Sequence, residues 1–77
     1  MQCIITSLTK TQTFPRLTTV TIPIKTGVTQ IKKGHAEYIV EVTQGDVLCI
    51  GTTGKKTVTP ITSGVCHVLD DTIIILT

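Results

Sequence analysis

Leu17-Thr18-Thr19-Val20-Thr21-Ile22-Pro23-Ile24-Lys25 is the stretch that decides the fold. Val20, Ile22 and Ile24 fall on one side of an extended chain and Thr19, Thr21 and Pro23 on the other, which is the period-two pattern of a half-buried strand. The same chemistry runs through the whole sequence. Seventeen Thr, 11 Ile and 8 Val fill 36 of the 77 positions, and β-branched side chains lose rotamer freedom against a helical turn but fit a pleated surface. Ala, the strongest helix former, occurs once, at Ala36. No helix of ordinary length is readable.

Outward from this strand, residues 3–8 read as a first strand and residues 10–13 as a short second one, with a turn at Phe14-Pro15-Arg16. Pro15 excludes a central ladder position there. On the other side Gly27 breaks the run, residues 28–31 form a short strand, residues 32–36 a polar loop, and residues 38–42 resume extended structure. Gln44-Gly45-Asp46 is expected to be a tight turn into residues 47–50, and residues 51–55 turn again into residues 56–61, so two hairpins are expected. Ser63-Gly64 opens residues 65–69, Asp70-Asp71 makes a turn, and Thr72-Ile73-Ile74-Ile75-Leu76 closes the chain as an apolar strand expected to be buried on both faces. The fold expected is all-β: one domain over residues 1–77, a small flattened β-sandwich of about ten short strands.

Charge and aromatic content exclude several functions. Six Lys and Arg16 stand against Glu37, Glu41, Asp46, Asp70 and Asp71, a net charge of +2, too weak a field to predict a nucleic-acid partner. Phe14 and Tyr38 are the only aromatic residues, so stacking platforms for bases are absent. No apolar run approaches the roughly 18 residues that span a bilayer, and the N-terminus lacks the pattern of a secretory leader, so the chain is expected to stay in its compartment of synthesis. Cys3, Cys49 and Cys66 are odd in number and sit among apolar neighbours such as Val47-Leu48-Cys49-Ile50. They read as small buried hydrophobes in a reducing compartment, with a Cys49–Cys66 disulfide as the alternative. Mean hydropathy is +0.37 with 16% charged residues, against about 25% in typical soluble domains. Either the core is dense or apolar surface is left over for a partner.

No catalytic, cofactor-binding or metal site is expected. Gly51-Thr52-Thr53-Gly54-Lys55-Lys56 lacks the first glycine and the following helix of a phosphate cradle and reads as a hairpin loop. Cys66 and His67 are adjacent on a strand, so their side chains point to opposite faces and share no ligand set. Asp70-Asp71 reads as a turn whose acids bond their own backbone rather than as a carboxylate pair.

Residues 17–76 resemble the N-terminal β-sandwich of the epsilon subunit of F-type rotary ATP synthases. Three features carry the resemblance: Val20-Thr21-Ile22-Pro23-Ile24 followed by Gly27, Ile31 and Gly34-His35-Ala36; Gly45 at the next hairpin; and Ser63-Gly64 before an alternating strand, an acidic turn and an aliphatic terminal strand. The chain departs from the family pattern at Lys33 and Glu37, where prolines usually flank Gly-His-Ala, at Gln30 in place of a glycine, and at Val28 in place of an acid. Relatives continue into a C-terminal pair of helices, whereas this sequence ends at Thr77. The resemblance therefore implies a naturally short or shortened subunit, without the inhibitory and ATP-sensing role of those helices.

What the resemblance implies is a non-catalytic central-stalk subunit that binds the gamma subunit, rests on the membrane c-ring, and helps couple ion-driven rotation to ATP synthesis. It places the chain peripherally at the cytoplasmic face of a bacterial inner membrane, or at the organellar equivalent. Thr26, Gly27, Val28, Thr29, Gln30 and Ile31 would face the ring; His35, Ala36 and Val40 would lie near gamma and the top of the ring. The bland reading of His35 is a loop histidine bonded to backbone within its own turn. Lys32 and Lys33 would orient acidic partner surfaces and add little affinity. From composition alone the alternative is an unrelated small β-sandwich that binds a protein or serves a structural role.

Overall fold

The computed structural model describes residues 1–77. Nine strands follow one another: β1 Gln2–Thr6, β2 Thr11–Phe14, β3 Leu17–Ile24, β4 Gly27–Lys32, β5 Tyr38–Val42, β6 Gly45–Gly51, β7 Lys56–Ile61, β8 Gly64–Leu69 and β9 Thr72–Leu76. They form a five-stranded sheet in the order β2-β1-β9-β8-β5 and a four-stranded sheet in the order β4-β3-β6-β7. The strands number nine against the expected ten or so. Every turn signal in the sequence bounds one of the nine, and none is left to bound another.

Between the sheets lie fourteen buried apolar side chains, with Val20, Ile22, Ile31, Val47 and Cys49 from one sheet meeting Cys3, Cys66, Val68, Ile73 and Ile75 from the other. The alternation read along β3 places Val20 and Ile22 in this core. A β-bulge at Thr18 shifts the pairing with β6 between Leu17 and Thr19, which resets the alternation so that Leu17 is buried as well. Pro23 is buried on the opposite side. It sits beyond the last β3–β6 pair, Thr21 with Leu48, so its missing N–H leaves no gap in that ladder.

Gly45 explains what covers Pro23, and it corrects one expectation. Residues 43–45 do not make a hairpin: β5 and β6 belong to different sheets, and the chain crosses between them here. Gly45 rides over the Pro23 ring so closely that a Cβ at position 45 would lie 2.9 Å from Pro23 Cβ. Two other expectations also change. The first strand ends at Thr6 and Leu8 stands fully exposed in the following turn. In β9 only Ile73 and Ile75 are buried, while Leu76 is exposed, because one face of the five-stranded sheet has no covering layer.

That sheet is closed by distant parts of the chain. β1 pairs in parallel with β9, from Gln2 with Thr72 to Thr6 with Leu76. Within the same sheet β8 and β9 come so close at Gly64 that a Cβ there would collide with the Leu76 carbonyl oxygen. The Ser63-Gly64 step is thus fixed by a close backbone approach.

The three cysteines are buried and free. Cys3 and Cys49 face each other across the two sheets closely enough for their thiols to interact, so the neighbour of Cys49 is Cys3 rather than the Cys66 of a disulfide. That interaction, together with burial, drives the Cys3 thiol far above its ordinary range. The same interaction draws Cys49 down against its own burial. Burial alone pushes Cys66 up to about 11.

Candidate docking edge

β4 and β5 are the edge strands of their respective sheets, and the segment between them carries the chain from one sheet to the other. The residues singled out in the sequence lie along this side of the sandwich. The β3–β4 hairpin pairs Ile24 with Gly27 around Lys25-Thr26, and Gly27 adopts φ 134°, a backbone setting that favours glycine. Along β4 the side chains then alternate. Val28 is 70% exposed and Gln30 is exposed with it, Thr29 is half-buried, and Ile31 is fully buried in the core.

The Ile31 side chain, expected to face a partner, instead anchors the strand from inside the core. Val40 is half-buried and packs against the core from β5, so it supports the edge from beneath. Thr26 and Gly27 sit at one end of β4, His35 and Ala36 beyond the other. With about 3.3 Å of rise per residue, the strand alone separates the two ends by roughly 17 Å. The edge offers two contact points rather than one patch.

The second point is the loop of residues 33–37. His35 N–H donates to the Lys32 carbonyl at 3.2 Å and closes the turn. The His35 Nδ1–H group donates to the Ala36 carbonyl at 2.7 Å, so this nitrogen is occupied within its own turn. The ring leans on Tyr38, centroid to centroid 5.4 Å at a 50° tilt. Gly34 takes φ 85°, and its N–H donates to Asp71 Oδ1 at 2.7 Å. Glu37 Oε2 meets His67 Nε2 at 2.9 Å on the open face of the five-stranded sheet.

The last two contacts were not legible in the sequence. Asp70-Asp71 was expected to serve its own turn, yet the Asp71 carboxylate reaches a residue 37 positions away. His67 finds Glu37 instead of Asp70 or Asp71. Apolar surface was also missed in position if not in amount. Ile39, Val65, Leu69 and Leu76 are exposed on the outer face of the five-stranded sheet, and Val28 and Val58 on that of the four-stranded one. The surplus hydropathy is thus spent partly on surface.

No three His, Cys, Asp or Glu side chains converge on a point that would hold a metal ion. Two open clefts, of about 480 and 410 Å³, lie elsewhere, one beside Lys10 and Thr77 and the other beside Arg16 and Lys55. Neither includes a residue of the β4 edge. What the edge offers is exposed backbone, a fixed loop and a few exposed side chains, which is the equipment of a docking surface.

The sequence matches the profile of the ATP synthase Delta/Epsilon chain beta-sandwich domain over residues 1–77. The chain belongs to that family. Among solved structures it is similar to a chain of the Euglena gracilis mitochondrial ATP synthase, described as OSCP/F1/c-ring, with 21% identity and a TM-score of 0.84 over 97% of this chain and 48% of that one. It is also similar to a chain of the Tetrahymena thermophila mitochondrial ATP synthase, described as central stalk/c-ring, with 18% identity and a TM-score of 0.80 over 99% of this chain and 61% of that one. The chain thus spans roughly half to three-fifths of the length of these neighbours. A search of curated protein sequences gives no match.

Proposed function

We propose that this chain is the sandwich of a central-stalk subunit of a rotary ATP synthase, which docks the gamma subunit onto the c-ring and helps couple ion-driven rotation to ATP synthesis. The observation that carries the proposal is the family match across the whole of residues 1–77. The structure of the chain agrees with a mechanical role. Two sheets locked through one core make a stiff body, and torque passes through a stiff body without loss to internal motion.

In this reading the tip at Thr26 and Gly27, with the outward side chains of Val28 and Gln30, meets the polar loops of the ring. Thr29 is half-buried beside them and keeps the strand's spacing. His35 and Ala36 meet gamma, with Lys32 and Lys33 orienting acidic surfaces on either partner. The subunit does no chemistry and is peripheral to the membrane through its complex. Both solved neighbours are mitochondrial, so an organellar setting stands beside the bacterial one.

The test is direct. The purified chain is mixed with the gamma subunit of its own organism and followed by gel filtration and calorimetry. Co-elution with a saturable heat signal supports the proposal. Separate elution with no heat at concentrations up to about 100 μM, weaker than a stable stalk contact tolerates, would sink it.

A further inference from the structure

Lys33 and Glu37 flank Gly34-His35-Ala36, and neither is a proline. Proline would fix φ at both flanks. Here no such restraint exists, and Gly34 at φ 85° adds further freedom. Two ties join the loop to the five-stranded sheet: Gly34 N–H to Asp71 Oδ1 at 2.7 Å and Glu37 to His67 at 2.9 Å.

The Asp71 tie is the stronger of the two, because a carboxylate accepting a backbone N–H is a charge-assisted bond, whereas the Glu37–His67 pair is partly exposed on both sides. Asp71 also holds an unfavourable backbone to make it. Leu69 pairs with Thr72, so Asp70 and Asp71 are the two central residues of a two-residue hairpin, and both take positive φ, 50° and 57°. A turn of that kind favours Asn-Gly or Asp-Gly. Aspartate where glycine would be more comfortable signals a side chain retained for what it touches.

We propose that Asp71 is a positioning residue for docking: from the β8–β9 turn it holds Gly34-His35-Ala36 in the partner-binding conformation, doing by hydrogen bond what flanking prolines would do by covalent restraint. The proposal rests on the docking reading above. It makes a prediction with opposite signs for stability and binding. Asp71→Gly removes the acceptor and relaxes the turn, whereas Asp71→Asn keeps both an acceptor oxygen and tolerance of the left-handed backbone.

The experiment compares wild type, D71G and D71N in three measurements: melting temperature, hydrogen exchange at the Gly34 amide by NMR, and affinity for the gamma subunit of the same organism by calorimetry. For D71G the expected result is an unchanged or higher melting temperature, faster Gly34 exchange, and about tenfold weaker gamma binding, as when the competent loop conformation drops to about a tenth of the population. D71N should stay within about threefold of wild type in both exchange and affinity. Wild-type affinity in D71G overturns the proposal, as does wild-type Gly34 exchange in D71G. D71N as weak as D71G also overturns it, by assigning the effect to charge at the interface. If wild type itself does not bind gamma, the docking reading falls first and the positioning role with it, a result distinct from binding that is indifferent to Asp71.

Discussion

The two sheets are built from different kinds of sequence distance. In the four-stranded sheet β3 pairs β4 and β6 pairs β7 through short turns, and all four strands come from residues 17–61. The five-stranded sheet gathers β1 and β2 from the start of the chain, β8 and β9 from its end, and β5 from the middle, and it contains the parallel β1–β9 pair. The first sheet is held by two short turns and one longer-range pair, β3 with β6, that joins the two hairpins. The second exists only once the chain ends have met, so it carries the larger entropic cost of closure and the tighter steric demands.

Glycine substitutions break this comparison most sharply. Gly64→Ala places a Cβ on the Leu76 carbonyl, in a backbone that must move, and should cost about 3 kcal/mol in urea unfolding. Gly51→Ala, in the four-stranded sheet, meets nothing closer than 3.7 Å and should change stability by less than about 1 kcal/mol. Equal costs at the two positions would remove the asymmetry.

Core truncations sharpen it kinetically. Ile75→Ala in the five-stranded sheet and Ile22→Ala in the four-stranded sheet each empty a fully buried position, and each should cost about 3 kcal/mol at equilibrium. Their partition should differ. Because local hairpins form before long-range pairings, Ile22→Ala should slow folding and Ile75→Ala should mainly speed unfolding, measured as the two arms of a chevron.

A third effect belongs to the five-stranded sheet and to pH. Burial pushes Cys66 up to about 11 from an ordinary 9.0. Between those values the folded chain keeps a proton that the unfolded chain gives up, so stability falls as pH rises from about 9 to about 11. The loss attributable to Cys66 is roughly 2–3 kcal/mol. It is read as the difference between wild type and Cys66→Ala in denaturant titrations at pH 8 and pH 11, and parallel behaviour of the two proteins would contradict it. The smallest effect is the Glu37–His67 pair. As a partly exposed contact it should give a coupling of about 0.2–1 kcal/mol in a double-mutant cycle with Glu37→Gln and His67→Ala.

Residues 17–25 announced a half-buried strand because period-two patterning depends on the neighbours in sequence alone. For the same reason the turns at Gly27, at residues 51–55 and at Asp70-Asp71 were legible. Residues 43–45 were misread, because a glycine that ends a strand looks the same whether the chain turns back or crosses to the other sheet. The proposed docking edge was named as a set of positions, but the burial of Ile31 and the Nδ1 bond of His35 to Ala36 follow from packing and turn geometry.

By itself, the sequence determined the class of the fold, through its β-branched content and alternation, and it determined the family, through glycines and short motifs at fixed spacing. Only the tertiary structure decided which strands are neighbours, which face of β9 is left open, and that Asp71 serves a loop 37 residues away. The physical reason is the same in each case. Local patterns fix the conformation of a segment, whereas the meeting of distant segments depends on which closures the whole core and its backbone clearances allow.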